Sequence, residues 1–264
     1  MKKILAMMLA LIMILSFVGC ASTEEPGTAD AGDTAATVTE EATVTEEEEA
    51  TETEEKADPV EVDYAGYVAA DLESGVIVEA YVQATQSWWD DKITVYAQDK
   101  DGAYFIYEMK CSEEDAAKLV PGTKIRVTGY KAEWSGEVEI TDATFEFVEG
   151  ADTFVAEPFD ATALLGTDDL IKHQNELASF KGLTIKSIAY KNDAPGEGND
   201  IYVTVTVGEA DYNFCVEAYL TGPDSDVYKA FADLKAGDVI DVEGFIYWYE
   251  GVNTHITKVV KAAA

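Results

Sequence analysis

The chain has 264 residues, 47% hydrophobic and 27% charged, with 18 Lys plus Arg against 52 Asp plus Glu and a formal net charge of −34. That length supports one or two small domains. The acid excess argues against tracking a phosphate backbone, because such binding depends on Lys and Arg displacing counterions. Three cysteines and two histidines leave little material for a structural zinc site or a Cys/His catalytic pair. Residues 59–264 alone keep 38 acids against 15 bases, with Arg126 the single arginine. Duplex DNA is therefore expected to be an unlikely partner.

Met1-Lys2-Lys3 supplies a positive start, and the apolar run from Ile4 to Val18 is shorter than the roughly 18 to 20 residues of a spanning helix. It reads as a secretory signal over residues 1–19. Its end, Phe17-Val18-Gly19-Cys20, resembles the lipobox of bacterial lipoproteins, with Phe17 where that family usually has Leu. The resemblance implies a diacylglycerol thioether on Cys20 and anchoring to the outer face of a bacterial plasma membrane. The alternative is an ordinary cleaved signal with an incidental cysteine. Residues 20–58 then form a lipidated Cys and a spacer. From 21 to 58 there is no aromatic residue, Leu, Ile or Met, and Ala36-Thr-Val-Thr-Glu-Glu41 recurs at once as Ala42-Thr-Val-Thr-Glu-Glu47. Such a segment cannot offset its chain entropy by burial, so it is expected to be a disordered acidic linker.

Residues 59–150 form the first folded domain. A short leading helix carries Tyr64, Tyr67, Val68 and Leu72, and period-2 alternation predicts strands near 75–83, 92–98 and 103–110. Asp101-Gly102 is a hairpin turn between the last two. Ser112-Glu-Glu-Asp115 makes a capping box before a short helix that Pro121-Gly122 ends, and strands near 123–132 and 137–147 follow. Residues 151–264 repeat the order. The apolar run from Phe154 to Phe159 is suited to packing on a barrel and holding the domains as one unit. A leading helix is read from Leu170, Ile171 and Leu177. Strands are predicted near 182–190, 200–207 and 211–219, then a helix near 224–235 and strands near 238–247 and 252–260.

The repeat is direct. Gly122, Gly129 and Gly136 correspond to Gly237, Gly244 and Gly251 at an offset of 115, within matching apolar alternations. Three strands, a helix and two strands, with a glycine inside the fourth strand, resemble the OB-fold. The segment Thr94-Val-Tyr-Ala-Gln-Asp-Lys-Asp-Gly-Ala-Tyr104 is similar to OB-type domains of secreted bacterial nucleases and of surface lipoproteins of gut Firmicutes. The expected fold is mainly β: two tandem OB-like five-stranded Greek-key barrels, each with a short leading helix and a helix between strands three and four.

OB-folds bind ligands on strands two and three and the flanking loops. In the first copy those positions hold Trp88, Trp89 and Trp134, with Tyr96 and Tyr104 or Tyr107 between them; the second offers Tyr247, Trp248 and Tyr249. The alternative use of these rings is to cap the barrels or join the copies. With lysines interleaved among acids, the sequence ranks a carbohydrate or other small polar ligand first and single-stranded nucleic acid second. A protein-contacting surface module is the third reading. Asp99-Lys-Asp101-Gly102 and Glu197-Gly-Asn-Asp200 read as turns rather than calcium loops. His173 and His255 read as solvated or packed side chains, and Cys111 and Cys215 as free thiols. No catalytic constellation, metal site or cofactor motif is recognised, so a non-catalytic module is expected.

Overall fold

A computed structural model describes residues 57–193, 195 and 198–262. The signal, Cys20 and all but the end of the acidic spacer lie outside the described residues.

A short strand β1 (Val60–Glu61) and helix α1 (Tyr64–Ala69) lead into β2 (Gly75–Thr85), β3 (Lys92–Gln98), β4 (Ala103–Lys110), α2 (Glu113–Ala116), β5 (Lys124–Trp134) and β6 (Glu137–Phe147). The sheet order is β1-β2-β3-β4-β6-β5, and pairing of β2 with β5 closes it. β4 and β6 run parallel while the other barrel pairs are antiparallel. The second copy comprises β7 (Phe159–Asp160), β8 (Leu177–Tyr190), β9 (Ile201–Val207), β10 (Ala210–Val216), α3 (Ala218–Thr221), α4 (Asp226–Ala230), β11 (Val239–Phe245) and β12 (His255–Lys261). Its order is β11-β12-β10-β9-β8-β7, closed by β11 on β8, again with a parallel pairing of β10 with β12. Both copies are OB-like barrels.

The repeated glycines have a steric cause. A Cβ on Gly129 would lie 2.6 Å from Ile140 Cγ2 and 2.8 Å from the Thr141 carbonyl oxygen, and one on Gly244 would lie 2.3 Å from the His255 carbonyl oxygen. Each glycine sits at a register shift against the last strand, where a bulge bends the sheet toward closure. Gly244→Ala is expected to cost about 1–3 kcal/mol, the usual range for overpacking. Urea unfolding monitored by far-UV circular dichroism would show this as a lower midpoint, and an unchanged midpoint would remove the closure role.

Local signals build the turns as their chemistry demands. Asp99 Oδ1 accepts from the backbone N–H groups of Asp101 and Gly102 at 2.7 and 2.9 Å, an Asx turn that uses the carboxylate locally. Ser112 Oγ accepts from the Asp115 N–H at 3.1 Å to start α2. The α1 plug is formed by Tyr64 and Tyr67 against Tyr104, whereas Val68 and Leu72 are exposed. Lys131 Nζ reaches from β5 to the carbonyls of Tyr67, Val68 and Ala70 at 2.7–3.0 Å, satisfying the end of α1.

The second copy departs from expectation at its start. Leu170–His173 is one 3-10 turn, and Leu177 already belongs to β8, which runs on through Gly182 at φ +67. The segment after β10 makes an additional short helix, α3, because Glu217 caps it by accepting from the Leu220 N–H at 2.8 Å. Between the copies, Gln83 of β2 accepts from the Ala156 N–H at 2.8 Å and donates to the Phe154 carbonyl at 3.2 Å, so the apolar run does pack on the first barrel.

Candidate functional site

Alternation decides which side chains of β3 and β4 leave the first barrel. Ile93, Val95 and Ala97 enter its core, as do Tyr104 and Ile106, while Tyr96, Phe105 and Tyr107 point outward. The outward face is where an OB-fold usually meets its ligand. Here it meets the second barrel. Tyr96 stacks on Phe245 at 4.6 Å between ring centroids, Phe105 packs edge-on to Tyr247 at 5.2 Å, and Tyr96 Oη lies 2.6 Å from His255 Nδ1.

Two of the predicted platforms are therefore corrected. Tyr96 is sealed between the barrels and Tyr104 is sealed inside the first, with neither more than 1% exposed. Trp88 is half-buried against the first core and donates from Nε1 to the Cys111 carbonyl at 2.8 Å. Trp248 packs against the second core and covers Gly136, where a Cβ would lie 2.7 Å from the indole Cδ1. Tyr247 is half-buried, stacked on His255 at 4.1 Å. The repeat-related hairpins of the two copies touch directly: Glu250 donates its N–H to the Ser135 carbonyl at 2.8 Å, and Trp134 lies 5.2 Å from Tyr249.

Beside this contact an open cleft of about 860 Å³ runs between the barrels. Tyr107 and Trp134 flank it from the first copy, and Tyr202, Tyr219 and Tyr249 from the second. All five are exposed, Trp134 by 52% and Tyr219 by 64%. A second depression of about 640 Å³ holds Trp88 and Trp89 and shares Gln86, Tyr107 and Tyr219 with the cleft, so the aromatic surface continues. Trp89 is exposed there. The sequence missed Tyr202 and Tyr219. Tyr219 was read as a strand end, and only the cap of α3 turns it toward the first barrel, where its carbonyl accepts from the Ser87 N–H at 2.8 Å.

The cations of the cleft and of the adjoining depression are paired. Lys92 binds Glu108 at 2.8 Å and Lys191 binds Asp200 at 2.8 Å. Three glutamates are held unusually basic. Burial pushes Glu137 up to about 8, and Glu139 and Glu217 up to about 7. Glu137 and Glu139 face out of the first barrel, and the second barrel is what buries them. Burial also pushes His255 down to about 3, so the ring is neutral. Gln86 donates to Tyr96 Oη at 3.3 Å, which leaves the tyrosine hydrogen for His255 Nδ1 and the ring proton on Nε2. Cys111 and Cys215 are buried free thiols, with burial raising the pKa of each. Among the described residues no group of His, Cys, Asp and Glu is arranged to hold a metal ion.

No family model matches the chain, and no curated protein matches it. Solved structures do. A murine DNA-binding protein bound to double-stranded DNA is 12% identical, with 71% of this chain and 97% of that one covered at a TM-score of 0.35. The Ifi202 HINa domain in complex with duplex DNA is 10% identical, covering 71% and 96% at a TM-score of 0.33. A replication protein A heterotrimer bound to single-stranded DNA is 10% identical, covering 74% and 51% at a TM-score of 0.30. Two expectations drawn from charge are corrected. These three structures are nucleic-acid complexes, two of them with duplex DNA, against a carbohydrate ranked first and duplex DNA ranked unlikely. The physical reason is that net charge averages over a whole surface, and the carbohydrate ranking also leaned on a β3–β4 face that the second barrel occupies.

Proposed function

We propose that the cleft between the barrels is a stacking site for unpaired bases of a single-stranded nucleic acid, and that the protein binds without catalysing. The observation that carries this is the run of exposed rings, Tyr107, Trp134, Tyr202, Tyr219 and Tyr249, around one cleft supplied by both barrels. Every base offers a π-face, and stacking on an aromatic side chain is worth about 1–3 kcal/mol per base. With Lys92 and Lys191 already held by acids, affinity rests on bases rather than on phosphates. The salt dependence is accordingly expected to be shallow.

Trp134→Ala and Tyr219→Ala are each expected to weaken binding of a short oligonucleotide by about fivefold to a hundredfold, leaving the unfolding midpoint in place because both rings are exposed. Fluorescence anisotropy with a labelled single strand measures it. Unchanged affinity in both variants would sink the stacking site.

The same proposal places the protein on the outside of a bacterial plasma membrane, tethered through lipid on Cys20. What supports it is the basic start, the short apolar run and the Gly19-Cys20 pair.

A further inference from the structure

Among the acids that line the cleft, Glu139 differs in having no donor. Asp200 holds Lys191 and accepts from the Ala218 N–H, and Glu217 accepts from the Leu220 N–H; in the adjoining depression Glu108 holds Lys92. Glu139 lies on β6 beside Phe105 of β4 and is only 8% exposed, yet among the described residues no N–H or O–H reaches its carboxylate. The charge acting on it is that of another acid, Glu108. A buried acceptor without a donor is costly to fold around, and this one opens into the aromatic cleft.

We infer that Glu139 reads the edge of a base stacked in the cleft, accepting from ring N–H and exocyclic amino groups, and so selects guanine over thymine. This rests on the stacking site proposed above. Guanine presents N1–H and N2–H₂ side by side, which match the two oxygens of a carboxylate. Cytosine and adenine present one amino group beside a ring nitrogen acceptor. Thymine presents N3–H between two carbonyl oxygens, and those would face the carboxylate. Recognition of unpaired bases through their edges while a ring stacks on their face is the usual division of labour at such sites.

Protonation would turn one of the two acceptor oxygens into a donor and break the match to guanine, and burial brings that event to about pH 7. The titratable groups around Glu139 are Glu108 and Tyr107 on β4, Glu137 on its own strand, Tyr67 of α1 and Tyr247 of the second copy. Across the cleft stand Glu217, the Asp200–Lys191 pair and His255. Glu217 titrates in the same range, so pH alone does not single out Glu139 and the variant is needed.

The experiment is anisotropy titration of the full chain with labelled short oligothymidylates carrying one central dG, dC or dT, at pH 6 and pH 8. The dG strand is expected to bind about tenfold tighter than the dT strand at pH 8. The ratio should shrink toward one at pH 6. In Glu139→Gln an amide donor replaces one acceptor, so the dG preference and its pH dependence should vanish while dT binding persists. If that variant does not fold, Glu139→Ala, which removes both acceptor oxygens, takes its place and should lose the dG preference in the same way. Equal dG and dT affinities at pH 8, or a preference that survives Glu139→Gln, would overturn the role of Glu139 and leave the stacking site standing. Failure of every strand to bind would overturn the stacking site, and the inference with it.

Discussion

Glu137→Gln is expected to stabilise the protein at pH 9 by about 2–4 kcal/mol and to leave its stability at pH 4.5 nearly unchanged. Glu137 is fully buried where the two barrels meet. Its Oε2 accepts from the Trp248 N–H at 2.8 Å, while Oε1 has no partner, and the Oδ1 of Asn175 is likewise buried without one. A buried carboxylate oxygen without a donor favours the protonated form of Glu137. Burial raises the pKa from 4.5 to about 8, so the folded chain holds a proton that the unfolded chain releases. The contribution is therefore full below pH 4.5 and lost as pH rises to about 8, on the order of 5 kcal/mol for the whole shift. Glutamine keeps the shape, accepts from the Trp248 N–H through its amide oxygen and is uncharged at every pH.

The other buried groups set the shape of the whole profile. Glu139 and Glu217, raised to about 7, act in the same direction as Glu137. His255, lowered to about 3, acts in the opposite one: its contribution is present above pH 6.5 and lost as pH falls through that value toward 3. Between pH 4.5 and 6.5 three carboxyls lose stability while one imidazole gains it, so stability should peak near pH 4.5. Urea midpoints across pH 4 to 9 measure it, and the fall on the alkaline side should flatten in Glu137→Gln. Parallel profiles for the two proteins would remove Glu137 as the cause.

The barrel strands were legible because alternation, Asp101-Gly102, the Ser112 cap and the paired glycines each act locally, and the predicted bounds of β3, β4 and β6 match those observed. The leading element of the second copy was not legible. Leu177 satisfies a helical spacing with Leu170 and Ile171, but the extended pairing with Phe245 won it for β8. Exposed aromatics were legible as a class and not by position. Tyr96 and Trp89 look alike in the sequence, and only the docking of the second barrel separates a sealed ring from a free one. The same docking turns Glu137 and Glu139, outward-facing acids on a sheet, into buried groups. Nothing in a period-2 pattern shows what will cover its outer face.

Tyr96→Ala is expected to cost about 3–5 kcal/mol, the range for deleting a buried aromatic ring, and it probes that docking directly. The ring lies against Phe105 at 5.1 Å and Phe245 at 4.6 Å, so its loss leaves a cavity bounded by both barrels. Tyr96→Phe separates the packing from the polar contact. It keeps the ring but removes the hydroxyl from the buried His255 Nδ1 and from Gln86, and should cost about 1–3 kcal/mol as an unsatisfied buried acceptor. If the barrels unfold together, both variants should lower one common transition, seen at the same urea concentration by far-UV circular dichroism and by tryptophan fluorescence. The fluorescence reports both copies, since Trp88 packs in the first core and Trp248 in the second. Two separated transitions in wild type would show that the barrels are independent, and a cost below about 1 kcal/mol for Tyr96→Ala would show that the contact contributes little. A cleft built from both barrels holds its rings in place only if they move as one body. Tyr96→Ala should therefore also weaken single-strand binding, although its side chain is sealed away from the cleft.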